Sequence, residues 1–229
     1  FKEFFIDFKD RIDDVILFKP NLFDSSFDSK KKNIVNGEIN SEQLKTVFKE
    51  LSTVFRYSND EVYKDADVIF FDSGMISKEL DLQVEQFEYT FELISKIFPR
   101  NKKILIKMSP YASKARIDSY NQLKLKYTNI YIDSKNLKTP WEIIYFNNLE
   151  KLKNVVLTSY RSSACISPYF FFNTENDIVI LSKFLLNHEG ISKEYELMTS
   201  SFIDLAKRIN NEFKYKSIYL PDKKEIIEI

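Results

Sequence analysis

The chain has 229 residues, 44% hydrophobic and 30% charged, which is the profile of a soluble globular protein with one large domain or two small ones. Its 34 Lys plus Arg balance 34 Asp plus Glu, which argues against a nucleic-acid binder, since those show a basic excess. A single cysteine, Cys165, excludes an intrachain disulfide framework; one histidine makes a His/Cys zinc site improbable, and three glycines nearly exclude a Gly-rich phosphate loop.

The chain opens on Phe1 rather than Met, so a processed product with an upstream segment is expected. Phe1, Phe4, Phe5, Phe8, Ile12, Val15 and Ile16 fall at the spacing of an amphipathic helix running into a short strand, which Pro20 ends. From Asn21 to Asn40 the chain is rich in Ser, Asp, Asn and Lys and reads as a linker. Lys30–Lys32 within it read as solvated charges, with docking on anionic lipid as the alternative. Asn40-Ser41-Glu42-Gln43 resembles a capping box, and Leu44, Val47, Phe48, Leu51, Val54 and Phe55 continue it as a helix.

From Asp67 the pattern changes. Short apolar runs at Val68–Phe71, Ile104–Met108, Ile130–Ile132, Val155–Leu157, Ile178–Leu181 and Ile218–Leu220 read as strands, several of them buried on both faces. None approaches the roughly 20 residues of a membrane span. Helices are expected at Leu80–Phe98, Ser113–Tyr127, Pro140–Phe146 and Ser192–Phe213, with Pro140 at a first helical position. This alternation predicts an α/β fold: a doubly wound, mainly parallel sheet with helices on both faces over 67–229, preceded by a helical and linker region over 1–66. A cytoplasmic location is expected.

In such sheets, ligands sit beyond the carboxyl ends of the strands, where the strand order reverses. The segments after the first four strands are Asp72-Ser73-Gly74, Ser109-Pro110-Tyr111, Asp133-Ser134 and Thr158-Ser159-Tyr160-Arg161-Ser162-Ser163. They are rich in hydroxyls and carboxylates. Ser162 and Ser163, ahead of a short helix beginning at Ala164, would form an anion cradle for a phosphate or nucleotide. For Asp72 and Ser134, capping of the next helix explains the residue equally well. Arg161 could grip a phosphate but is also an ordinary surface residue, and Glu142, in a first helical turn, is a candidate ribose or nucleotide contact. Trp141 reads as core, and His188 as a helix-end residue.

The run Lys103-Ile104-Leu105-Ile106-Lys107-Met108-Ser109-Pro110, then Asn129-Ile130-Tyr131-Ile132, Thr139-Pro140-Trp141-Glu142 and Ser162-Ser163-Ala164, resembles the bacterial lipooligosaccharide sialyltransferases and their polysialyltransferase relatives. The resemblance covers roughly residues 67–185. It implies the two-domain GT-B glycosyltransferase fold, with 67–229 as a Rossmann-like nucleotide-sugar-binding domain and 1–66 as a reduced acceptor domain. It also implies a CMP-sialic acid donor and a surface-glycan acceptor. Pro110 matches the proline of the family's His-Pro motif, and Ser162 and Ser163 match its hydroxyl pair. Ser109 stands where the family has histidine; a serine donates a hydrogen bond but is a poor acid. The family's acidic pair before glycine has no counterpart, although Asp24 and Asp28 lie roughly where it would fall.

The resulting expectation is an inverting, metal-independent transfer with no resident cofactor. Ser109, Pro110, Glu142, Ser162 and Ser163 would hold the donor, and Ser109 would assist its phosphate. Asp72 or the Asp24–Asp28 loop would be the base. A degenerate nucleotide-sugar-binding module is the alternative. A metal-dependent nuclease or hydrolase using Asp72 with Glu85 or Glu88 is a third reading.

Overall fold

The computed structural model of the chain describes residues 14–17, 33–36, 41–58, 61–72, 80–172, 174, 176–186, 193–212 and 218–222. The chain divides into two compact units, Phe1–Val47 and Phe48–Ile229. In the first, β1 (Asp14–Leu17) pairs in parallel with β2 (Asn33–Asn36), in the register Asp14↔Asn33 to Leu17↔Asn36. The strand expected near Val15 is therefore present. β2 corrects the reading of 21–40 as an unbroken linker, and with it the description of 1–66 as helix and linker alone. Ile34-Val35 is a β-branched pair that suits a strand, but two residues are too few to stand out in so polar a stretch. The remainder of 1–40, including Asp24, Asp28, Lys30–Lys32 and the cap at Asn40, lies outside the described residues.

Helix α1 (Ser41–Val54) follows as expected, and a 3-10 turn covers Glu61–Tyr63. From Phe48 onward its residues belong with the sheet. Phe48 stacks on Phe146 with ring centroids 5.4 Å apart. Ser52 and Tyr57 accept hydrogen bonds from the amides of Asn147 and Asn148 at 2.7 and 2.9 Å. The boundary read at 66/67 thus falls inside the second unit, because aromatic and amide contacts separated by some 90 residues are invisible in the sequence.

All six strands of the second unit are parallel: β3 (Val68–Phe71), β4 (Ile104–Lys107), β5 (Ile130–Asp133), β6 (Val156–Ser159), β7 (Ile178–Ile180) and β8 (Ile218–Tyr219). Their order across the sheet is β5-β4-β3-β6-β7-β8. Every residue of β3, β4 and β7 is buried, which is why these strands read as continuous apolar runs rather than alternating ones. Edge strand β5 carries the exposed Tyr131. The connections use α2 (Leu80–Ile97), α3 (Lys114–Lys124), α4 (Trp141–Asn147), α5 (Leu149–Leu152), α6 (Ser167–Phe172), α7 (Ser182–Leu186) and α8 (Lys193–Glu212). Ser113 caps α3 by accepting from the Arg116 N–H at 3.2 Å. Pro140 stands one position earlier than expected, at the cap of α4, where its carbonyl accepts from Ile143 and Ile144.

Both faces of the sheet are covered. On one, Val68, Phe70, Ile104, Ile106 and Ile130 pack with Phe87, Phe91, Ile94 and Ile97 of α2 and with Tyr120 and Leu123 of α3. On the other, Phe71 meets Trp141 of α4 edge to face at 4.8 Å. The expected α/β sheet is thus found. The chain runs outward from β3 to β5, then returns to the other side of β3 and runs outward to β8. The order reverses between β3 and β6, which are joined in the register Phe71↔Ser159. Among the described residues, no helix is long and apolar enough to cross a membrane.

Candidate functional site

At that reversal a cleft of about 380 Å³ opens beyond the carboxyl ends of the strands, a size suited to a small ligand. Phe71 and Asp72 enter it from β3, and Lys107 through Pro110 from β4. Lys138, Thr139, Pro140 and Trp141 line it ahead of and at the start of α4, and Ser162 and Ala164 follow β6. Of the residues expected from the sequence, Asp72, Ser109, Pro110 and Ser162 are brought together here. Ser163 is exposed and Glu142 half-buried, and neither lines the cleft.

Asp72 organises the floor. Its side chain is 3% exposed and forms an ion pair with Arg116, itself 6% exposed, through Nη2 to Oδ1. The Tyr120 hydroxyl donates to the same oxygen at 3.1 Å, and the backbone N–H of Ser109 donates to Oδ2 at 3.3 Å. Burial, and then the neighbouring Asp72 charge, push the Tyr120 phenol well above its usual range, so it stays protonated and donating. Arg116 also lies over the Phe87 ring at 5.3 Å. Three donors therefore occupy the carboxylate expected as a base, and Asp72 acts here as a strut that fixes Ser109.

Ser109 opens a tight turn. Its carbonyl accepts from the Ala112 N–H at 3.0 Å, and its Oγ accepts from the Tyr111 N–H at 3.3 Å. The hydroxyl proton is left to donate at the cleft. Tyr111 beside it is 94% exposed.

Lys107 was not singled out from the sequence. Its side chain is buried, and Nζ donates to the carbonyls of Met108 at 3.3 Å and Asn136 at 3.0 Å. Desolvation lowers its pKa, opposed by the charges of Asp133 and Asp72. Asp133, its neighbour in register, is itself occupied. The Asp133 Oδ1 accepts from the N–H groups of Lys135 and Asn136, both at 3.1 Å, and Oδ2 accepts from the buried Tyr63 hydroxyl. Asp133 thus braces its own turn, and Ser134 is exposed. The one signal for Lys107 was a cation inside the continuous apolar run Ile104-Leu105-Ile106-Lys107-Met108, which elsewhere signifies burial on both faces.

After β6 the hydroxyl-rich stretch divides its tasks. The Thr158 hydroxyl donates to the Val179 carbonyl at 2.8 Å and belongs to the sheet. Ser159 Oγ accepts from the Ser162 N–H at 2.9 Å and from the Cys165 thiol at 3.3 Å. Ser162 caps the 3-10 turn Ser163–Cys165 by accepting from the Ala164 N–H at 3.3 Å. Its hydroxyl proton faces no acceptor among the described residues. Burial pushes the Cys165 thiol up to about 12, which removes it as a nucleophile. Arg161 stacks on Tyr195 with its guanidinium carbon 4.3 Å from the ring centroid, away from the cleft lining.

Trp141 is both core, as expected, and wall of the cleft, with a buried Nε1 that has no hydrogen-bond partner among the described residues. Glu88, offered with Asp72 for metal-assisted hydrolysis, instead pairs with Lys126 on the surface at 3.4 Å. No group of three or more His, Cys, Asp or Glu suited to a metal occurs among the described residues. His188, Ser73, Gly74 and the side chain of Glu85 are outside them.

The charges around the cleft are lopsided. Lys107 and Lys138 line it, and the one acid on it, Asp72, is already neutralised by Arg116. Three hydroxyls, from Ser109, Thr139 and Ser162, and an apolar wall that includes Phe55, Phe71, Met108 and Trp141 complete the lining, which is able to hold an anionic ligand that carries a flat apolar group. No protein-family model and no curated protein matches the chain.

Proposed function

We propose that the chain is a sialyltransferase-like glycosyltransferase, moving a sialic acid or related sugar from a CMP-activated donor to a bacterial surface glycan. One observation carries the reading: a cleft at the strand-order reversal, lined by two lysines, two serines and the sole tryptophan, in a chain with no net charge. In the proposed transfer an acceptor hydroxyl attacks the anomeric carbon from the face opposite the donor phosphate. The bond from that carbon to the phosphate oxygen breaks, and the electron pair stays on the oxygen. Lys107, Lys138 and the hydroxyls of Ser109 and Ser162 stabilise the charge that develops there. No resident metal or cofactor is invoked, since the lysines supply the positive charge. The acceptor's proton leaves to solvent, because Asp72 is held by three donors. The GT-B arrangement, a cytoplasmic location and lipid contact through Lys30–Lys32 belong to the same proposal.

The engagement of Asp72 favours a second reading, a module that binds a nucleotide sugar without turning it over. Titration with CMP, using UMP and GMP as controls, followed by assay of CMP release from CMP-sialic acid with a glycan acceptor, separates the two. Selective CMP binding with steady release supports the transferase. Binding without release supports the module, and no nucleotide binding refutes both. Ser162→Ala should weaken CMP binding about tenfold, as expected for loss of a hydrogen bond to a charged group. Ser163→Ala, at an exposed position off the cleft, should change it little.

A further inference from the structure

We propose that Lys107 is the group that recognises the ligand's phosphate, and that it does so as an ammonium ion, so that phosphate binding is coupled to proton uptake by this lysine. The inference rests on the nucleotide reading of the cleft and deepens it.

Lys107 is 5% exposed, at the last position of a central strand, and no carboxylate among the described residues lies within ion-pair distance of it. A buried ammonium without a contacting counter-ion is unfavourable, and lysine answers such a site by losing affinity for its proton. The two carbonyls of Met108 and Asn136 satisfy two of its three N–H bonds. The third has no acceptor among the described residues, and the side chain lines the cleft. A strut for the 134–139 loop would need only neutral donors. A dianionic phosphate in the cleft supplies both the missing acceptor and a counter-ion in direct contact.

The charges of Asp133 and Asp72 act on Lys107 and partly oppose the effect of burial, but neither carboxylate pairs with it. Asp72 is paired with Arg116, and the Asp133 oxygens accept from the Tyr63 hydroxyl and the backbone N–H groups of Lys135 and Asn136. Lys138 is the other cation on the cleft, and Ser109 can donate to a phosphate but carries no charge.

Burial lowers the pKa of Lys107 in the free protein, and a bound phosphate raises it again. Affinity is therefore level below the free-state value. It falls as pH rises between the free-state and bound-state values, at up to about tenfold per pH unit for one linked proton. Above about pH 7 the phosphate of CMP is already doubly charged, since its second pKa is about 6, so the ligand does not contribute to the fall.

The test is calorimetric titration of the full chain with CMP from about pH 7 to about 10.5, a window that reaches the ordinary lysine value. It is repeated in two buffers of different ionisation enthalpy, for the wild type and for Lys107→Met, Lys107→Arg and Lys138→Met. Wild-type affinity should fall with pH, with net proton uptake on binding. Lys107→Met should bind at least tenfold more weakly at neutral pH and show no pH dependence. Lys107→Arg should regain part of the affinity without the pH dependence, because arginine stays charged. Lys138→Met should weaken binding while keeping the slope. If the wild type binds CMP but Lys107→Met matches it in affinity and slope, the inference falls while the nucleotide reading stands. If the wild type binds no nucleotide, both fall. If Lys107→Met does not fold, the wild type in two buffers decides, and CMP binding without proton uptake overturns the inference.

Discussion

Removing Arg116 should be the most damaging single change beneath the cleft, and the structure sets its size. Arg116→Met leaves the Asp72 carboxylate in a site where its side chain is 3% exposed, with only the Tyr120 hydroxyl and the Ser109 N–H to stabilise it. Breaking one half of a buried pair costs about 3–5 kcal/mol, because the partner charge is stranded. In a unit of this length each kcal/mol lowers the melting temperature by about 2–4 °C, so a drop of about 6–20 °C is expected. Asp72→Asn should cost a similar amount, since it strands the guanidinium instead. The double variant removes both charges and keeps an amide oxygen to accept from Tyr120 or Ser109. It should therefore be more stable than the sum of the singles implies, with a coupling of about 2 kcal/mol or more. Urea unfolding followed by circular dichroism measures all three. Additive single costs, or a cost below about 1 kcal/mol for Arg116→Met, would refute the placing of this pair in the buried floor.

Three further outcomes follow from the same geometry. Tyr63→Phe removes the hydroxyl that donates to Asp133 and should destabilise the chain by about 1–3 kcal/mol, read as a shift in urea midpoint with unchanged slope. Cys165 should resist iodoacetamide at pH 8 in the native protein and react promptly in denaturant, because burial holds its thiol near 12 and unfolding returns it to the ordinary range; rapid native labelling would contradict this. Trp141 is the only tryptophan and lines the cleft, so CMP should change the intrinsic fluorescence saturably, whereas a silent indole during confirmed binding would place the nucleotide elsewhere.

Local physics made most of the second unit readable. Val68–Phe71, Ile104–Lys107 and Ile178–Ile180 are short apolar runs that only doubly buried strands use, and Ser113 and Pro140 mark helix starts by their own chemistry. The order that places β6 beside β3 depends on pairing across 88 residues, between Val68 and Val156, which no local pattern encodes. β2 was hidden because Ile34-Val35 is shorter than any reliable period.

The site shows the same division. Of the hydroxyls read beyond the strand ends, Ser109 and Ser162 line the cleft. Which of two adjacent serines faces the cleft was settled by the bond from Ser162 N–H to Ser159, which turns the loop. Arg116 and Asp72 are 44 residues apart, and nothing near Arg116 marks it as buried, so the engagement of the expected base could not be foreseen.

The most direct measurement is amide and indole chemical-shift mapping of the isotope-labelled chain during titration with CMP. The account predicts the largest shifts at Ser109, Lys138, the Trp141 indole and Ser162, at the carboxyl ends of the strands. Shifts concentrated instead around Asp65, Lys103 and Tyr131, which line a smaller hollow at the opposite end of the sheet, or no shifts at all, would contradict it.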